Sequence, residues 1–182
     1  MSVYVPPPLE IRDPVHGAIA LDGCEEVVID HPFVQRLRGI RQLGFSHLPF
    51  PGATHTRYAH SLGAMHLAGR AFDACFRGES FPTPARRAAF RHCVRLAALC
   101  HDLGHAPYSH AAEFAMPPLR ALAVEAYGQG AVAHRLDAQA SHEDYTVAIL
   151  TKSGLADTIR AHFEFGPEHV AALVSHEVEV ED

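Results

Sequence analysis

Between Arg95 and Glu113 the chain reads R-L-A-A-L-C-H-D-L-G-H-A-P-Y-S-H-A-A-E, an apolar helical run that ends in residues able to do chemistry. Leu, Ala and Cys bury freely, but the His101-Asp102 pair at the end of the run must find a partner or be neutralised. A metal ion is the natural partner. Successive helical residues point about 100° apart, so His101 and Asp102 can share one ion only near a helix end. Gly104 supplies that end. His105 lies four residues after His101, on the same side. His110 and Glu113, at i and i+3, share a face on a helical turn and can hydrogen-bond. The chain carries 15 His in 182 residues, so pairs at ligand-like spacing arise by chance and spacing alone does not identify a site.

The elements that must position these groups are mostly helical. Residues 1–9 read as a Pro-rich, loose lead-in. The breakers Asp13-Pro14 and His16-Gly17 within 11–21 suggest a small hairpin, and 26–29 suggests another short strand. Asp30 offers an N-cap with Pro32 just inside, and Phe33, Leu37 and Ile40 mark the buried face of a helix running to about residue 43, stopped by Gly44. A Pro- and Gly-containing loop over 45–56 leads to a second helix at about 57–76, packed through Leu62, Met65, Gly69, Phe72 and Phe76. Pro82 and Pro84 separate it from a third helix over 85–103. Residues 119–127 form a short element, and 128–140 read as a loop. Ser141 and Asp144 form a capping box with a shortened acid at the start of a helix through 150. Two more helices are expected at 155–162 and 167–175. No fixed-period repeat or βαβ pattern is present, so the fold class is mainly α: a helical bundle with a small N-terminal β-hairpin elaboration.

Composition narrows the function. Hydrophobic residues make up 48% and charged residues 20%, an ordinary globular balance for one domain. No apolar run approaches the roughly 18 residues of a membrane span, and the N-terminus lacks signal-peptide blocks. A cytoplasmic address without membrane partners is the default. The net charge of −6 argues against a general nucleic-acid surface. Cys24, Cys75, Cys93 and Cys100 show no C-x-x-C spacing and read as reduced, buried thiols.

Three stretches line up in order: T-R-Y-A-H-S-L-G at 56–63, H-D-L-G-H-A-P-Y-S-H at 101–110 and S-H-E-D at 141–144. Together they resemble the HD-domain phosphohydrolases, with His60 followed by His101-Asp102 in the H…HD pattern. The wording around both halves is similar to the deoxynucleoside triphosphate triphosphohydrolase branch. The similarity extends to D-P-V-H-G at 13–17, F-V-Q-R-L-R-G-I-R-Q-L-G at 33–44 and F-P-G-A-T-H at 50–55, and so covers nearly the first 115 residues.

The resemblance implies one divalent metal held by His60, His101, Asp102 and a later Asp. Two imidazoles and a carboxylate suit Mn, Fe, Co, Ni or Zn, with Mg also admissible, and ligand type does not choose among them. It implies catalysis by His110 with Glu113, the carboxylate orienting the imidazole beside the scissile phosphate. His105 either contacts a phosphate or supports the ligands. His142, with Glu143, matches a His-Glu pair near the phosphates, the competing reading being a helix cap. Arg57, one turn before His60, suits a triphosphate bidentately, with a surface ion pair as alternative. Gln42 matches a sugar contact. Asp30, Gln35 and Arg38 match an activating-nucleotide site between subunits in some relatives; from residue type alone they are a cap and a solvated helix face. A homo-oligomer is therefore expected.

One departure matters. The closing Asp, expected in D-A-D-R-x-D-like wording, is not present, and Asp137, Asp144, Asp157 and Asp182 lack that context. Residues 10–182 are therefore expected to be the N-terminal part of an HD domain in a longer chain. The expected reaction is hydrolysis of a deoxynucleoside triphosphate to nucleoside and triphosphate. The alternatives are another HD phosphohydrolase, acting on phosphomonoesters or cyclic nucleotides, and a nonhydrolytic nucleotide sensor.

Overall fold

A computed structural model describes residues 9–128 and 130–180. The proposed lead-in thus lies outside the described residues except for Leu9, which opens β1 (Leu9–Asp13). This strand pairs antiparallel with β2 (Gly17–Leu21), Leu9 opposite Leu21 and Asp13 opposite Gly17. Asp13 closes the turn by accepting the Val15 and His16 amides at 2.9 and 2.8 Å, and Gly17 takes a φ of 74°. Ile19 and Leu21 face inward, so alternate residues of β2 pin the hairpin to the helices.

The expected strand at 26–29 is instead part of α1 (Gly23–Ile29). The deciding signal is Asp22-x-x-Glu25. Asp22 accepts the Glu25 amide at 2.8 Å while the Glu25 carboxylate reaches back to the Asp22 amide. The next helix also starts differently: Asp30 caps the C-terminus of α1, and His31 caps α2 (Pro32–Gln35), its Nδ1 accepting the Phe33 amide. Pro32 at the first helical position leaves the cap to the residue directly before it. α2 does not reach residue 43. It tightens into a 3₁₀ turn at Arg36–Gly39, and Ile40 becomes extended because its carbonyl accepts the Arg57 amide at 2.8 Å. Gly44, at φ 53°, begins another 3₁₀ turn.

Two long helices form the centre. α3 (Arg57–Cys75) is capped by Thr56, and α4 (Pro84–Cys100) by Thr83 with Pro84 in its first turn. They run antiparallel, Asp73 meeting Arg87 and Arg91 at one end and His60 meeting His101 at the other. Leu62 and Met65 pack with Leu96, Leu99 and Cys100 between them, each large aliphatic side chain stabilising by roughly 1.5–3 kcal/mol. α5 (His142–Lys152), α6 (Gly154–His162) and α7 (Pro167–Val174) close the bundle, α7 lying on both α4 and α5. The Ser141/Asp144 capping box is present, the Ser141 hydroxyl accepting the Asp144 amide and Asp144 accepting the Ser141 amide. Between α4 and α5 the chain uses 3₁₀ turns at Ser109–Ala115, Leu119–Leu122 and Ala133–Arg135, so the element expected over 119–127 is short.

All four thiols are free, but only Cys93 and Cys100 are buried; Cys24 is half-buried and Cys75 exposed. Burial pushes Cys93 up to about 11 and Cys100 up to about 12, so both stay protonated and unreactive near neutrality. Among the described residues no helix is long and apolar enough to cross a membrane.

Candidate metal centre and histidine cluster

α4 ends at Cys100, and His101 is its C-cap. The departure from helix at this point lets two sequence neighbours aim at one place. His101 Nε2 lies 3.4 Å from Asp102 Oδ1 and 3.2 Å from His60 Nε2, while His60 Nε2 lies 3.8 Å from Asp102 Oδ2. His101 Nδ1 donates to the Ala98 carbonyl at 2.8 Å, which leaves the Nε2 lone pair free to face the gap. Two imidazole nitrogens and a carboxylate, all within 4.8 Å, form a donor set able to hold a divalent metal ion. Among the described residues this cluster contains no second carboxylate as a fourth ligand. Asp137 pairs with Arg120, Asp144 with Arg135 and Asp157 with Arg160.

Arg57 stands behind the ligands. Its guanidinium is buried and donates to Asp102 Oδ2 at 2.7 Å, Ser109 Oγ at 3.1 Å and the Gln42 carbonyl at 3.4 Å. Burial alone raises the Asp102 pKa, but the His105 hydrogen bond and the charges of His101 and Arg57 outweigh it and hold the carboxyl well below the usual range. Asp102 is therefore an anion.

His105 bridges to a second group. Its Nε2 is 3.4 Å from Asp102 Oδ1, and its ring stacks on His142 with centroids 3.8 Å apart. Glu113 Oε1 meets His142 Nδ1 at 2.7 Å and His110 Nδ1 at 3.0 Å, so one carboxylate oxygen orients two imidazoles. Burial raises the Glu113 pKa, and the His142 and His110 contacts more than reverse it. His105, His110, Glu113 and His142 form a cluster of their own within 4.8 Å. Glu143 is exposed and lies 3.8 Å from His142 Nε2.

Three positioning groups, Arg36, Thr146 and Arg135, carried no sequence signal. Arg36 donates to the carbonyls of Leu103 (2.9 Å) and His105, holding the segment after α4. Thr146 Oγ1 contacts the Gly104 amide at 2.9 Å and the His101 and His142 carbonyls at 3.0 Å. Gly104 is required for this approach: a Cβ there would fall 1.9 Å from the His142 carbonyl oxygen. Ser109 sits at φ 54°, a conformation that costs a non-glycine residue on the order of 1–3 kcal/mol, and its hydroxyl meets Arg57 and the Arg41 carbonyl. Asp144 anchors α5 through Arg135 at 2.9 Å and Tyr127 at 2.5 Å.

The Gln42 side-chain oxygen and His105 Nδ1 are buried without a partner among the described residues. Such atoms await a donor or acceptor from a ligand or water. Asp30, Gln35 and Arg38 lie together near the α1–α2 junction. Gln35 donates to the Ile29 carbonyl at 2.8 Å and accepts from Arg38 at 2.7 Å, and Arg38 stacks over Tyr58.

Residues 57–181 match the family model described as HD domain. The chain belongs to the HD-domain family. Within it, this chain is similar to the human deoxynucleoside triphosphate triphosphohydrolase SAMHD1, at 44% identity over 110 residues, 60% of this chain and 17% of the relative. The Dictyostelium discoideum homologue of that protein is 40% identical over 104 residues, 57% of this chain and 20% of the relative. A hypothetical protein of Aquifex aeolicus, known by crystal structure, aligns with 95% of this chain at 27% identity and a TM-score of 0.63, over 39% of its own length. The chain thus spans about a fifth or less of the length of these curated relatives.

Proposed function

We propose that this chain takes part in hydrolysis of deoxynucleoside triphosphates to deoxynucleoside and triphosphate, with a single divalent ion held by His60, His101 and Asp102. The observation that carries the reading is the junction at His105, which touches Asp102 on one side and stacks on His142 on the other. A phosphate brought to the His/Asp ligands is thereby also beside the His110–Glu113–His142 cluster. When bound, the metal ion supplies charge neutralisation at the phosphate oxygens. Glu113 fixes the imidazoles of His110 and His142 so that their Nε2 atoms present to substrate, one positioned to assist attack at the α-phosphorus or to protonate the leaving 5′-oxygen. The unpaired Gln42 oxygen is an acceptor suited to a sugar hydroxyl. Arg57 bears on substrate charge from behind Asp102, because its guanidinium is committed to that carboxylate.

We further propose a carboxylate from outside the described residues as the remaining ligand. Asp30, Gln35 and Arg38 serve as a nucleotide contact between subunits of a homo-oligomer in this reading, with Gln35 released from Arg38 on binding. The purified chain, assayed with each deoxynucleoside triphosphate and a divalent metal, should release inorganic triphosphate, and His101→Ala should abolish the release. Orthophosphate or a monophosphate product would move the assignment to another HD phosphohydrolase. Nucleotide-dependent stabilisation with no product would favour the sensor reading, for which the commitment of Asp102 to Arg57 is the supporting observation.

A further inference from the structure

About two to three turns along α3 from His60, a cavity of about 330 Å³ opens between β2, α3 and α4. It is walled by His66, Arg70, Arg91 and Arg95, with Asp22 and Glu25. Arg87, Arg91 and Arg95 recur every fourth residue, so α4 presents one cationic face here. The carboxylates nearby are already used. Glu25 takes Nε and Nη2 of Arg95, Asp73 takes Arg87 and Arg91, and Asp22 accepts the Glu25 amide and lies 2.5 Å from His92.

What remains unspent is positive. Arg95 is only 4% exposed, yet its Nη1 has no hydrogen-bond partner among the described residues. Arg70 makes no hydrogen bond or ion pair among them and leans on the same cavity. Gly69 makes room for the convergence: a Cβ there would lie 2.9 Å from Arg95 Nη1 and 3.2 Å from Arg91 Nη2. Like charges gathered around an unpaired donor repel one another, and an anion beside them relieves that repulsion. Burial, followed by the influence of His16, Arg70 and Arg95, lowers the His66 pKa, consistent with a positive field.

We propose that this cavity is an oxyanion site that takes a phosphate group between Arg70, Arg91 and Arg95, separate from the His60/His101/Asp102 centre. A carboxylate is satisfied by one guanidinium fork, whereas guanidinium groups approaching from two helices suit a tetrahedral oxyanion with more oxygens to share. The phosphate is either free or the end of a polyphosphate chain.

Calorimetric titration of the 182-residue chain separates these sources, using metal-stripped protein carrying His101→Ala at fixed ionic strength. Inorganic phosphate and inorganic triphosphate are the probes. Saturable binding that Arg70→Ala weakens by about tenfold or more, with an unchanged melting temperature, is expected from loss of charge-assisted hydrogen bonds. Arg91→Gln should weaken it as well. Saturation by phosphate assigns the site to the free ion, and saturation by triphosphate alone assigns it to a polyphosphate chain. No saturable binding of either ion, or binding indifferent to both Arg variants, would overturn the proposal.

Discussion

His60, His101 and Asp102 differ from His105, His110, Glu113 and His142 in how the chain holds them. The first group rides on the ends of the two long helices, with Asp102 buried against Arg57. In the second, His105 is buried in the segment after α4, His110 and Glu113 hang on a 3₁₀ turn that starts at a strained Ser109, and His142 opens the first turn of α5. His110 is 66% exposed at its side chain, whereas that of Asp102 is 5% exposed. His60 and His101 are 40% and 37% exposed, so the difference teaches that Asp102 is the ligand built into the core, while the orientation of His110 by Glu113 is a local device. Damage to the first group should therefore register as stability, and damage to the second as rate.

The largest effect is expected from Asp102→Asn. It leaves the buried Arg57 guanidinium without its counter-charge, and breaking a buried pair costs roughly 3–5 kcal/mol. Denaturant unfolding should show the loss, and metal analysis should show the ion gone. An Asn variant as stable as the parent would erase the distinction between the two groups.

Glu113→Gln tests the other side. The amide keeps the shape but removes the charge that steers two imidazoles, so turnover should fall by roughly 10²–10⁴-fold while the unfolding midpoint stays nearly unchanged. Full metal occupancy in this variant would sharpen the division of labour. Loss of metal together with rate would merge the two groups into one centre.

Gly104→Ala strikes the joint between them. The new methyl group collides with the His142 carbonyl and lies 2.7 Å from the Thr146 amide nitrogen, so α5 must shift away from the end of α4. Overpacking of this kind costs roughly 1–3 kcal/mol. Turnover should drop by more than metal affinity, because His142 moves with α5 while His60 and His101 stay on α3 and α4.

The residues of the two candidate clusters could be named from sequence because their signals are local: H-D-L-G-H, H-x-x-E and S-H-E-D each occupy a few consecutive residues. The mainly α class and its hairpin were legible for a related reason, since Pro82, Pro84 and the apolar spacing of α3 and α4 act within one helix. Helix starts were less so. Asp30 had the right residue type for a cap, but Pro32 gave the role to His31, and the Asp22/Glu25 box lies just before the stretch 26–29 that reads as a strand. Arg57 shows a deeper limit, because an Arg one turn from a ligand looks ready for phosphate until folding places it 2.7 Å from Asp102. Arg36, Thr146 and Arg135 act across the fold, Arg36 on a carbonyl 67 positions away, and residue type alone does not say which partner a side chain will reach.

The smallest expected effect concerns how α5 is moored. Burial would raise the Asp144 pKa, but hydrogen bonds from Arg135 and Tyr127 and the Ser141 amide together lower it. The folded pKa thus lies below the unfolded value of about 3.9. In the window between them the unfolded chain binds the extra proton, so this contribution is full above that window and is lost as pH falls through it. Stability measured from neutrality into acid should decline over that range, and Asp144→Asn should flatten the decline while lowering the neutral plateau. Because Asp144 moors the helix that begins at His142, the variant should loosen the histidine cluster and leave the His60/His101/Asp102 ligands in place. An acid limb unchanged by Asp144→Asn would assign the loss to other carboxylates and free α5 from this anchor.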